Sequence, residues 1–135
     1  MSRSINDLAP EFRPLAIELL ARCVESKISV LIVDTLRTQA EHQENLRAGT
    51  SRIRHSKHLD GLAIDICPFA IYQLHGPDKL QWDGRDPVWP ILGAIGERLR
   101  LRWGGRFWPL NDVGIGWDPG HFEYITPSAI SGTAA

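Results

Sequence analysis

The chain has 135 residues and a mass of 15.1 kDa, the size of one domain built around one core. Its 43% hydrophobic and 23% charged residues place it among ordinary soluble globular proteins and exclude the disordered, collagen-like and disulfide-scaffold classes. Fifteen Lys and Arg against sixteen Asp and Glu leave a formal charge of -1, which argues against a protein that works by neutralising a phosphate backbone, so no nucleic-acid partner is expected.

The first residues, MSRSINDLAPEFRP, hold no apolar stretch of the kind an export signal needs. The most apolar run, Ile28 to Val33, is too short to span a bilayer, so stable membrane insertion is not expected. Residues 11–25 predict a helix with Leu15, Leu19, Leu20, Cys23 and Val24 on one stripe and its prolines confined to the start. Residues 28–36, ISVLIVDTL, read as a buried strand that delivers Asp34 to Arg37 at its end. Thr38 followed by Glu41 is a capping box opening a helix that ends before Gly49, which puts Arg37 at a strand-to-helix corner. Residues 45–59 carry Arg47, Arg52, Arg54 and Lys57 with no acid between them; this is a solvated basic loop or a footprint for an anionic polymer.

GLAIDICPF, residues 61–69, predicts a second strand, with Leu62, Ile64 and Ile66 on one side and Ala63, Asp65 and Cys67 on the other. Residues 70–85 read as a surface loop, Asp86 and Pro87 open a helix to about Arg100, and residues 102–120 read as turns throughout. HFEYI, residues 121–125, alternates like a last strand, and a loose tail follows from Pro127. The domain is therefore taken as residues 1–126, with a tail of 127–135. Strands and helices mix without a βαβ rhythm, which predicts an α+β fold with a small, mainly antiparallel sheet and flanking helices. Cys23 and Cys67, far apart in a chain with no export signal, are expected to be reduced core residues.

Asp65 is the anomaly, because a carboxylate inside a buried strand must be protonated, paired or bound to a cation. His58 precedes the turn at Gly61, and His121 follows the turn Asp118-Pro119-Gly120; if the two strands lie together, His58, Asp65 and His121 converge. Two imidazoles and a carboxylate suit one zinc ion with a coordination position left for water, which is the pattern of a catalytic site. Asp118 could then move a proton, and Arg37 could face substrate or a developing oxyanion. The plainer alternatives are that Asp118 is a turn former, that Arg37 pairs with Asp34 or Glu41, that His42, His55 and His75 are structural or surface groups, and that the five Trp are core or loop plugs.

Ser56-Lys57-His58-Leu59-Asp60-Gly61-Leu62-Ala63-Ile64-Asp65 matches SxHxxGxAxD, and Asp118-Pro119-Gly120-His121-Phe122-Glu123 supplies a carboxylate three residues before a final His. In both motifs the chain resembles the D-Ala-D-Ala carboxypeptidase-like zinc peptidases. Arg37-Thr38 with Gln43 and Leu46, and Trp103-Gly104-Gly105, are similar to segments of the L-alanyl-D-glutamate peptidases used as phage endolysins. The resemblance implies a hedgehog/D,D-peptidase-like fold and one zinc ion held by His58, Asp65 and His121. It also implies Asp118 as general base, Arg37 at the substrate or oxyanion, and Ser56, Trp103 and Glu123 as substrate-binding or supporting residues. Arg106 departs from the pattern, standing where relatives often have an acid.

The implied activity is hydrolysis of the L-Ala–D-Glu amide in peptidoglycan stem peptides by a monomeric lysin. Such a lysin would be made in the host cytoplasm and released to the wall through a separate membrane-pore protein. A D,D-carboxypeptidase, a D-Ala-D-Ala dipeptidase and a non-catalytic zinc-stabilised wall-binding module are the alternatives.

Overall fold

In the computed structural model the described residues are 2–49, 56–70 and 79–127. Arg52, Arg54, His55, His75 and the tail beyond Pro127 lie outside them. Helix α1 (Arg13–Glu25) has Pro14 in its first turn, where a missing N–H breaks no helical hydrogen bond. Its buried residues are Ala16, Leu19 and Cys23, with Leu15 and Leu20 half-buried beside them. Val24, expected on the same stripe, is 75% exposed, because it lies about 100° round the helix from Cys23.

Strand β1 (Val30–Asp34) is shorter at both ends than the sequence predicts. Helix α2 (Gln39–Ala48) opens with both hydrogen bonds of the capping box: the Glu41 N–H donates to Thr38 Oγ1 at 3.1 Å and the Thr38 N–H to Glu41 Oε1 at 3.0 Å. Strand β2 (Ala63–Pro68) follows, then helix α3 (Val88–Arg98), whose first N–H donates to Asp86 Oδ1 at 2.9 Å. Strand β3 (Leu101–Trp103) takes in Arg102 and Trp103, which the sequence reads as turn; its three residues pair along β4 (His121–Tyr124).

The four strands form one antiparallel sheet in the order β1-β2-β4-β3. Ile64, Ile66, Phe122, Leu101 and Trp103 belong to the core together with Leu19 of α1, Trp89, Leu92 and Ile95 of α3, and Leu8 and Phe12. Trp103 lies so close to α3 that a Cβ on Gly93 would meet its ring at 2.5 Å. Cys23 and Cys67 are both buried. Among the described residues no helix is long and apolar enough to cross a membrane.

Candidate metal centre

Residues paired across an antiparallel sheet share a face. Asp65 lies opposite Asp34 on β1 and His121 on β4, while Ala63 lies opposite Glu123, which itself lies opposite Arg102. One face of the sheet is therefore polar although most of its side chains are buried: Asp34, His121 and Glu123 are each no more than 5% exposed.

His58 reaches this face from outside the sheet. Ser56 caps the short 3-10 turn Lys57–Asp60, its Oγ accepting the His58 N–H at 3.2 Å. Gly61 ends the turn at φ +70°, where an added Cβ would also press to 3.0 Å from the Ala9 backbone nitrogen. The chain thereby reverses from His58 straight into β2.

His121 is placed by the second loop. Gly104 approaches Asp118 so closely that a Cβ there would lie 2.1 Å from the Asp118 carbonyl oxygen. The Trp103 indole N–H donates to the Pro119 carbonyl at 2.7 Å. Trp103 thus holds the Asp118–His121 turn from the core side, 5% exposed, and is no wall of an open cleft.

The ligand atoms of His58, Asp65 and His121 all lie within 4.8 Å of one another. Asp65 Oδ1 is 3.0 Å from His58 Nε2 and 2.9 Å from His121 Nδ1. The far side of each ring is braced. His58 Nδ1 is 2.7 Å from the Thr35 carbonyl oxygen, which requires the proton on Nδ1 and leaves the Nε2 lone pair turned towards Asp65. Thr35 is itself held by Ser2, whose carbonyl accepts its N–H at 2.8 Å. His121 Nε2 is 2.8 Å from Glu123 Oε1.

Burial would raise Asp65, but the His58 and His121 imidazoles beside it overturn that and hold its carboxyl well below the usual range. Burial would likewise lower His121, yet the carboxylates of Asp65 and Glu123 on its two nitrogens push it up to about 10. Glu123 falls below its ordinary value, the hydrogen bond from His121 outweighing burial. Asp118 Oδ2 is 3.7 Å from His121 Nδ1 with its side chain 32% exposed; burial, and then the Asp65 charge, push it up to about 6.

This donor set fits a metal ion. His58 Nε2 is buried and makes no hydrogen bond of acceptable geometry, although Asp65 Oδ1 lies close by, so a lone pair is left for another partner. His121, between two carboxylates, is held as an imidazolium, and a metal at Nδ1 would take the place of that proton.

Arg37 stands beside the cluster rather than at its mouth. Its Nη2 and Nε donate to Asp34 Oδ2 at 2.7 and 3.0 Å, and Nη2 is 3.8 Å from Asp65 Oδ2. Its side chain is 9% exposed. Three contributors escaped the sequence reading: the Thr35 carbonyl, for which no side-chain signal exists; Asp34 as a buried partner of the site; and Phe107, whose ring centroid is 5.6 Å from that of His121.

Residues 2–125 match the family described as phage L-alanyl-D-glutamate peptidase. No curated protein sequence matches the chain. Among solved structures, the fold is similar to that of the Serratia marcescens L-Ala D-Glu endopeptidase ChiX, with a TM-score of 0.66 and 21% identity over 92% of this chain and 87% of that one. It is also similar to VanYB in complex with D-alanine-D-alanine, with a TM-score of 0.58 and 16% identity over 92% and 75%. A third likeness is to a mutant of the vancomycin resistance D,D-pentapeptidase VanY in complex with Zn(II), with a TM-score of 0.57 and 17% identity over 93% and 76%. At these identities the likeness is one of fold.

Proposed function

The chain belongs to the phage L-alanyl-D-glutamate peptidase family, and from that membership we propose that it is a zinc-dependent endolysin cutting the L-Ala–D-Glu amide of peptidoglycan stem peptides. The observation that carries the metal is the meeting of His58, Asp65 and His121, three residues distant in sequence, around a buried imidazole nitrogen without a hydrogen bond. When bound, a zinc ion would supply Lewis acidity, activating water and polarising the scissile carbonyl.

The remaining chemistry falls to the chain. Asp118, whose Oδ2 is 3.7 Å from His121 Nδ1, is the carboxylate placed to take a proton from the attacking water and pass it to the departing D-Glu amine. Ser56 caps the turn that carries His58, and Glu123 holds the His121 imidazole. Arg37 contributes a fixed positive charge beside the cluster. The proposed setting is a monomer acting on the wall after release through a separate pore protein.

Mass spectrometry of muropeptides digested with the zinc-loaded chain tests the reading. It should find new C-terminal L-Ala on the glycan side and new N-terminal D-Glu on the peptide side. The fold likeness to VanYB, solved with D-alanine-D-alanine, makes released D-Ala the informative rival product. Release of D-Ala would replace the bond assignment, and intact muropeptides would overturn the enzymatic reading altogether.

A further inference from the structure

Strand β1 ends in an acid that neither the family motifs nor the proposed mechanism uses. The register of β1 against β2 shifts between Ile32 and Asp34, and the shift sets Asp34 directly opposite Asp65. Two carboxylates facing each other across a sheet repel, and here both are largely withdrawn from water, with side chains 2% and 19% exposed.

Arg37 lies between them and takes one side. Its Nη2 is 2.7 Å from Asp34 Oδ2 but 3.8 Å from Asp65 Oδ2, and its Nε adds a second bond to the same Asp34 oxygen at 3.0 Å. A guanidinium fork can close on either carboxylate. Closing on Asp65 would occupy its oxygens and neutralise the charge a divalent cation needs. Asp34 has spare capacity for the task, since its Oδ1 is buried without a hydrogen-bond partner.

We propose that Asp34 is a positioning residue: it holds Arg37 off Asp65 and so keeps Asp65 available as a metal ligand. The inference rests on the metal reading above. It makes Arg37 a latent competitor of the metal, restrained by the acid across the strand pair. Deleting the restraint while keeping the competitor leaves a buried cation with Asp65 as the carboxylate in reach, whereas deleting both leaves Asp65 unopposed.

The test is zinc affinity of the full chain, read by competition with a chromophoric chelator, for wild type, Asp34→Asn, Arg37→Gln and the double variant. Circular dichroism of each metal-free chain checks that it folds. Asp34→Asn should bind zinc about 10 to 100 times more weakly, the range expected when a group supporting a ligand is lost. Arg37→Gln should bind as tightly as wild type or more tightly, and adding Asp34→Asn to it should cost nothing further. The inference is overturned if Asp34→Asn binds like wild type, or if it loses as much in the Arg37→Gln background as alone. Should Asp34→Asn not fold, Arg37→Gln still decides, because a tenfold loss of zinc affinity in that variant contradicts a competing arginine. A wild-type chain that takes up no zinc would remove the metal reading and this inference together; one that binds zinc with Asp34→Asn unaffected removes the inference alone.

Discussion

The two faces of β2 and β4 are made from alternate residues of the same strands and stabilised by different physics. Ile64, Ile66 and Phe122 are fully buried in the apolar core, where the stabilisation scales with area and tolerates any side chain of suitable volume. One residue along, Asp65, His121 and Glu123 are held by hydrogen bonds of 2.8–2.9 Å between opposite charges. Such a face is stable only while every partner is present, so its members are not interchangeable. Stability of the chain should therefore respond chiefly to the first face, and chemistry to the second.

The widest separation is expected within the polar face. His121→Ala removes a proposed metal donor together with the partner of two buried carboxylates, and should abolish both zinc uptake and hydrolysis. Asp118→Ala leaves all three donors in place; it should keep stoichiometric zinc by elemental analysis and lose about 10²- to 10⁴-fold in kcat, the usual worth of a general base. Full lytic activity in a folded Asp118→Ala variant would refute that assignment.

The apolar face is probed one residue from a proposed donor. Ile64→Ala should cost about 2–5 kcal/mol in chemical denaturation, as a buried aliphatic truncation does, while the folded fraction keeps its zinc and its kcat. Loss of zinc from folded Ile64→Ala would mean that the faces are not separable. Glu123→Gln makes the reverse test at smaller scale. The amide oxygen still accepts from His121 Nε2 but the charge is gone, so zinc affinity of the folded chain should fall about 10- to 100-fold.

What could be read from the chain alone follows the same division. The period-2 alternation of GLAIDICPF and HFEYI, together with turn residues at Gly61 and Asp118-Pro119-Gly120, was enough to put His58, Asp65 and His121 within reach of one another. The capping box at Thr38 was legible because its whole mechanism is local. Strand β3 was not: three residues between a helix and a glycine pair carry no periodicity, and only pairing with β4 makes them a strand. Trp103, read as a substrate-binding or supporting residue from its nearness in sequence to the site, lies opposite Phe122 in the core and reaches the site's second loop through its indole N–H on the Pro119 carbonyl. Arg37 was placed at its corner correctly, with Asp34 as one alternative partner. That the pair is buried beside Asp65 depends on a strand register no single segment encodes.

Arg106 closes the series with the smallest expected effect. Its position just after Gly104-Gly105 could suggest a substrate contact. Its guanidinium instead pairs with Glu97 of α3, Nη2 to Oε1 at 2.8 Å, and lies 5.9 Å from the Trp103 ring centroid. Helix α3 packs on the apolar face, so the pair ties the glycine turn to the core side of the sheet and not to the polar side. With the Arg106 side chain 69% exposed, the pair is screened by water, and Arg106→Ala should change the unfolding free energy by less than about 1 kcal/mol. Zinc content and the product pattern should be unchanged. A tenfold fall in kcat/KM in a chain of wild-type stability would instead place this side chain on the substrate, and would move the boundary between the two faces to the near side of the glycine turn.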